Sequence, residues 1–193
     1  MEAMHLLRCV LVAFLFSVSE GASVASVPSR TVMTWVSTAV EDWAKPAAYL
    51  GPGGEAEGTV NTISIDNLYH FDPAKTPMIV ADPAAIAAHA KLWQPHFRTY
   101  PMIGLGGSAN MTDLRPLLYD DDKQRWWVDF LVKEAVTRGY DGLNIDFEPK
   151  TSVLDPDDNA SARDGLAFAD LLERLGAAAP HGVRHWCRRL VGW

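Results

Sequence analysis

Three residues that could do acid–base chemistry alternate along one short segment of the chain. The segment runs from Tyr140 to Pro149, and its polar side chains include Asn144, Asp146 and Glu148. Because side chains alternate between the two faces of a strand, these three would share one face while apolar side chains occupy the other. A carboxyl group held at the end of such a strand can give or take a proton in a reaction, which is general acid–base catalysis.

The same alternation fits two kinds of strand. A half-exposed antiparallel strand, with its polar side chains in water, is the commoner source of such a pattern. In a buried parallel strand the polar side chains cost desolvation free energy unless they have partners. The flanking helical patterns favour the parallel strand. Glu148 would then lie at the carboxyl-terminal rim of a parallel sheet, where such folds bind their ligands.

The segments around this strand alternate between strand-like and helix-like patterns. Strands are predicted at residues 31–37, 60–65, 100–105 and 140–148, with 67–71 continuing or bending from the second strand. Helices are predicted to begin at the caps Asp82, Asp122 and either Asp158 or Asn159. Strands that alternate with helices indicate βαβ units, so the chain is predicted to have an α/β fold with a parallel sheet.

Two of these strands resemble a known family. The segment from Asp141 to Glu148 reads DGLNIDFE and resembles the DGxDxDxE signature of glycoside hydrolase family 18, which holds chitinases and endo-N-acetylglucosaminidases. The stretch from Met102 to Gly107 resembles the SxGG element of the family's preceding strand, with Gly104 in place of the serine. Asn144 stands where most members have aspartate, and the chitobiase branch is similar in having asparagine there.

The resemblance implies a (β/α)8 TIM-barrel fold and covers Val32 to Ala179, roughly the first four of eight βα units. A complete barrel of this type has about 250 residues, whereas this chain has 193. We therefore expect an α/β fold of the TIM-barrel type, truncated to about four βα units, in a partial catalytic domain at residues 30–180. The tail at residues 181–193 is atypical and is expected to hold no fifth strand of the family's kind.

The resemblance also implies an activity, namely hydrolysis of N-acetylglucosaminyl β-1,4 linkages in chitin-type oligosaccharides or N-glycan cores. Glu148 would be the general acid and base, and the substrate's own 2-acetamido oxygen would be the nucleophile. Asp146 would stabilise the oxazolinium charge, and Asn144 would support Asp146. The substrate, an oligosaccharide that contains N-acetylglucosamine, would be bound by Phe71, Gly106 and Gly107. Such a reaction needs no metal and no cofactor.

A second class of function stays open. The family's later strands complete its sugar site, and no counterpart to them is seen in this sequence. The chain can therefore be a catalytically incompetent fragment, or a carbohydrate-binding, lectin-like member of the same family. The presence of Glu148 favours descent from a hydrolase.

The first residues predict a secretory route. Arg8 precedes an apolar run from Cys9 to Val18, and small residues follow, which is typical of a signal peptide over residues 1–25. The run is too short to span a bilayer, so no membrane span is expected once the signal is removed. Asn110 and Asn159 each begin an N-glycosylation triplet. We expect an extracellular or lysosome-like destination, and the net charge of −7 argues against a nucleic-acid partner.

Overall fold

The computed structural model describes residues 31–36, 43–66, 68–72, 79–105, 110–149, 159–180 and 184–187, with the backbone alone at 79–80 and 184–187. The strands are β1 Met33–Val36, β2 Thr62–Ile65, β3 Tyr69–Phe71, β4 Ile79–Ala81, β5 Arg98–Thr99, β6 Met102–Leu105, β7 Gly142–Asp146 and β8 Arg184–Cys187. The helices are α1 Ala44–Leu50, α2 Pro83–Leu92, α3 Met111–Tyr119, α4 Asp121–Arg138 and α5 Ala162–Ala178. The predicted signal peptide at 1–25 and the predicted substrate-binding Gly106 and Gly107 lie outside the described residues. None of the described helices combines the length and the apolar character that crossing a bilayer requires.

The strands build a mixed α/β fold with small parallel sheets. One sheet has the order β1-β2-β5 and the other has the order β4-β3-β6-β7-β8. All neighbouring pairs are parallel except β3 and β4, which are antiparallel. β2 and β3 are consecutive along the chain and form one run, and β5 and β6 form the next run. β2 pairs with β5, and β3 pairs with β6. The described strands form an open arrangement and not a closed barrel.

The helices cover one side of these sheets, because their apolar side chains meet those of the strands. Trp127 on α4 and Phe168 on α5 pack on Phe147, with ring centroids 5.9 and 5.7 Å apart. Leu131 and Leu171 are fully buried in the same core. This aromatic and aliphatic layer fixes the helix side of β7, so the other side of β7 must carry its polar residues.

A buried carboxylate joins α3 to α5. Asp164 accepts hydrogen bonds from Nε and Nη2 of Arg115 at 3.1 and 3.0 Å and from the hydroxyl of Tyr119 at 2.7 Å. Ser161 donates to it from both its hydroxyl and its backbone N–H. Burial alone raises the pKa of Asp164, but the hydrogen bonds from Arg115, Ser161 and Tyr119 outweigh burial and hold this pKa well below its usual range.

Some of the residues that begin and end the helices are those predicted from the sequence. Asp82 caps α2, with Pro83 in the first turn, and Gly139 ends α4 in the left-handed conformation with φ 68°. The cap of α4 is Asp120 and not Asp122, which lies in the first turn, where its charge interacts favourably with the helix dipole.

One further prediction is wrong. The cap of α5 is neither Asp158 nor Asn159 but Ser161, because its hydroxyl and the side chain of Asp164 form a reciprocal capping box. In the tail, for which no fifth strand of the family's kind is expected, the short strand β8 pairs in parallel with β7, from Gly142 opposite Arg184 to Ile145 opposite Cys187. The sheet therefore continues one strand further than the sequence pattern indicates.

Candidate active site

The polar side chains of β7 face away from the helices. Asn144 is 2% exposed, and its side-chain amide donates to the hydroxyl of Ser64 on β2 at 3.1 Å. This hydrogen bond links β7 to β2 although the two strands are not neighbours, because β5 and β6 lie between them. We call the side of the sheets that carries Ser64, Asn144 and Asp146 the polar face, and the opposite side the helix face.

Asp146 lies in a row of three residues across the polar face. Gly104 on β6 pairs with Asp146 on β7, and His70 on β3 pairs with Gly104. Paired residues in a parallel sheet point to the same side. His70 therefore shares the polar face with Asp146, with only a glycine between them.

Glu148 follows the carboxyl end of β7 and is exposed to solvent, whereas Asp146 is 9% exposed. The alternation of the strand places Asn144, Asp146 and Glu148 at successive levels of the polar face, with the outermost carboxyl group accessible. At the other end of β7, Asp141 accepts a hydrogen bond from the backbone N–H of Thr99 at 2.9 Å. The first aspartate of the motif thus anchors the start of the strand.

Phe71 does not lie where the resemblance implies. Its ring is 1% exposed and packs on Phe147, with centroids 6.0 Å apart, in the core on the helix face. Tyr69, two residues earlier on β3, also points to this side, because the Tyr69 hydroxyl donates a hydrogen bond to Glu134 of α4 at 3.0 Å. The expectation that Phe71 lines a sugar site is therefore wrong, and the polar-face residue of β3 is His70.

Asp66 is a site residue that the sequence reasoning missed. It follows β2 at the carboxyl end, two residues after Ser64, and it is half-buried. The pKa of Asp66 is raised from its ordinary value, mainly by burial; the nearby His70 acts to lower this pKa and the nearby Glu148 acts to raise it. Asp66 therefore lies within electrostatic reach of Glu148. The signal was available, because Thr62, Ser64 and Asp66 repeat the polar alternation of β7.

The other predicted site residues lie elsewhere. Asn110 caps α3, and its side-chain oxygen accepts from the backbone N–H of Asp113 at 3.0 Å. Asn159 precedes α5, and its backbone carbonyl accepts from Arg115 at 3.0 Å. Both asparagines are half-buried at the starts of helices. Over the described ranges, no cluster of three or more His, Cys, Asp or Glu side chains is arranged to hold a metal ion.

A separate groove of about 360 Å³ lies on the outside of the helix layer, between α3, α4 and α5. Arg163 stands over the ring of Tyr119 at 4.6 Å, and Arg174 forms an ion pair with Asp121 at 2.8 Å. The residues of the polar face do not line this groove. The candidate acid–base residues and this groove are thus separate features of the molecule.

Comparisons with known proteins agree with this architecture. No protein-family model matches the chain, and no curated protein matches it. Among solved structures, a chitinase from Chromobacterium violaceum matches with a TM-score of 0.57 at 18% identity, over 81% of this chain and 45% of that one. The Bacillus cereus spore cortex-lytic enzyme SleL matches with a TM-score of 0.57 at 13% identity, over 80% and 33%. A chitinase from Rhizomucor miehei matches with a TM-score of 0.52 at 14% identity, over 78% and 44%.

This chain spans less than half the length of each of these structures. At such identities the likeness shows the fold alone. The protein is therefore similar in fold to part of a chitinase-type domain, a mixed α/β arrangement in which the described strands do not close a barrel.

Proposed function

We propose that this chain carries the catalytic carboxyl group of a glycoside hydrolase of family 18. The proposed substrate has N-acetylglucosaminyl β-1,4 linkages, as in chitin-type oligosaccharides or N-glycan cores. The observation that carries the proposal is the polar face of β7, where buried Asn144 and Asp146 lead up to an exposed Glu148. The likeness in fold to chitinases supports it.

In this mechanism Glu148 gives its proton to the glycosidic oxygen while the bond from that oxygen to the anomeric carbon breaks. The acetamido oxygen of the same sugar forms the new bond to the anomeric carbon, which yields an oxazolinium ion. The Glu148 carboxylate then takes a proton from water as the water attacks the same carbon and releases the acetamido oxygen. Two displacements at one carbon retain its configuration.

The two buried side chains have supporting roles. Asp146 would accept a hydrogen bond from the acetamide N–H and stabilise the positive charge that develops on the oxazolinium ion. Its small exposure favours this role, because a charge interaction is stronger where water is excluded. Asn144 is fixed by its hydrogen bond to Ser64, and it would in turn help to hold Asp146 in place.

The test is hydrolysis of unmodified chitotetraose by the purified chain, measured by separation of the products. The parent chain is expected to release shorter oligosaccharides, and Glu148→Gln is expected to lower the rate by about 100-fold or more. Asp129→Asn, which changes an exposed carboxylate on α4, is the matched control and should keep the parent rate. Equal rates for the parent and Glu148→Gln would refute the assignment of the acid.

The second candidate function is carbohydrate binding without hydrolysis. The open arrangement of the described strands favours it, because this chain matches less than half of each neighbour in fold. The same purified chain, tested with chitotetraose, distinguishes hydrolysis from binding alone. Binding of chitotetraose with no product formation would assign the chain to the binding class, including a catalytically incompetent fragment.

A secretory route is a further part of the proposal, supported by the signal-like composition of residues 1–25. Expression in a secreting eukaryotic host should give a chain without these residues, with a mass that falls on enzymatic deglycosylation at Asn110 or Asn159. A secreted chain with an intact N-terminus and no mass change would contradict both parts.

A further inference from the structure

The run of chain through β2 and β3 is longer than the paired stretch of the run through β5 and β6, and we call this excess the bulge. Tyr69 lies six positions after Ile63, whereas their partners on the next run, Thr99 and Ile103, are four positions apart. The first run therefore carries two extra residues, which fall between β2 and β3. Bulges re-aim side chains and are frequent beside active sites.

Two titratable residues flank this bulge on the side of the candidate acid. Asp66 precedes it, and the backbone N–H of Asp66 donates to the carbonyl of Val36 at 2.8 Å, which fixes its position beside the end of β1. His70 follows the bulge and lies in the row with Gly104 and Asp146. Both side chains are half-buried, so each keeps some surface for a ligand.

The positions of these groups relative to β7 follow from a hydrogen bond between β2 and β7. Ser64 is hydrogen-bonded to Asn144, so two residues further along each strand Asp66 and Asp146 lie at about the same level. Glu148 is one level higher. Asp66 also interacts electrostatically with both His70 and Glu148. The residues Asp66, His70, Asp146 and Glu148 are therefore neighbours on the polar face, near Gly104 of β6.

We propose that Asp66 and His70 bind hydroxyl groups of the saccharide on which Glu148 acts, and this inference rests on the proposed function. A carboxylate accepts hydrogen bonds, and an imidazole both donates and accepts them, so the pair suits the hydroxyl groups of a neutral sugar. Gly104 adds no side chain between His70 and Asp146, so a ligand would not meet a third side chain there. The apolar Phe71 is turned to the helix face and takes no part.

A purely structural ion pair at the bulge is the alternative, and the two roles differ in what they change. A structural pair would lower thermal stability when broken and leave the affinity of folded protein unchanged. A binding pair would lower the affinity for the sugar at an unchanged melting temperature. The experiment therefore needs both readouts on each variant.

The experiment measures binding of chitotriose by calorimetry in the Glu148→Gln background, in which the ligand is not consumed. Asp66→Asn and His70→Gln are each expected to weaken the affinity by about 3- to 10-fold, at an unchanged melting temperature. Asp129→Asn on α4 is the matched control and should bind as the background does. If Asp66→Asn does not fold, His70→Gln alone decides. Affinities within about twofold of the background, or no measurable binding by the background, would overturn the inference.

Failure of the hydrolase assignment and failure of the inference about Asp66 and His70 would give different results. If the chain with Glu148 intact hydrolyses chitotetraose while neither variant changes the affinity, the inference about Asp66 and His70 fails and the hydrolase assignment stands. If that chain shows no hydrolysis but the variants weaken binding, the hydrolase assignment fails and the sugar-binding role stands.

Discussion

We predict that His89 on α2 makes the fold sensitive to acid. Its ring is fully buried against the ring of Tyr140, with centroids 5.6 Å apart. Within the part of the chain that the structure describes, neither ring nitrogen has a hydrogen-bond partner. Burial lowers the pKa of His89 to about 4, from 6.5 in an unperturbed histidine.

The direction of the effect follows from proton binding in the two states. Between pH 6.5 and about 4 the unfolded chain holds a proton on His89 that the folded chain excludes. The free energy of unfolding therefore falls as the pH falls through this window. A pKa difference of about 2.5 units corresponds to about 3 kcal/mol lost by pH 4, with the contribution intact above the unfolded pKa.

The assay is urea denaturation of the parent and of His89→Leu at about pH 7.5 and about pH 4. The parent should lose about 3 kcal/mol more than His89→Leu over this interval. His96→Leu removes an exposed histidine and is the control, which should follow the parent. The reasoning is refuted if His89→Leu loses as much stability as the parent, because His89 then binds protons equally well in the folded and unfolded states.

The remaining predictions concern two buried polar contacts. Asp164→Ala should lower the free energy of unfolding by about 3 kcal/mol or more, because it leaves a partly buried arginine without its carboxylate. The exposed Asp170→Ala on the same helix is the control, and equal losses in a urea titration would contradict the prediction. Asn144→Ala and Ser64→Ala should each cost about 1–3 kcal/mol, since each leaves a buried polar group unpaired. The double variant should cost less than the sum of the two, and additive losses would show that the hydrogen bond does not contribute.

The sequence predicts the fold well where two local signals agree. At the start of α2, Asp82 and Pro83 are both helix-initiating residues, and the helix begins where they predict. At the start of α4 an acidic run offers several equivalent caps, so the sequence cannot tell Asp120 from Asp122. Ser161 was missed because its cap depends on the reciprocal bond with Asp164, which only the folded turn provides.

The candidate site was predicted from the alternation along β7, and this alternation is observed. Phe71 was placed by resemblance and not by alternation, although counting from buried Ile63 and Ile65 assigns it to the helix face. The two extra residues of the bulge preserve this alternation, but nothing local in the sequence fixes their number. β8 was missed because its residues, RHWC, lack the apolar run of a buried strand, and its pairing depends on the distant β7.

The most direct test of the role of Glu148 compares two leaving groups in Glu148→Gln. A sugar leaving group needs a proton from the acid, whereas a dinitrophenyl leaving group departs without one. We expect Glu148→Gln to lose about 100-fold or more on a chitooligosaccharide and much less in the first step on the dinitrophenyl glycoside. Equal losses on both substrates would contradict proton donation by Glu148.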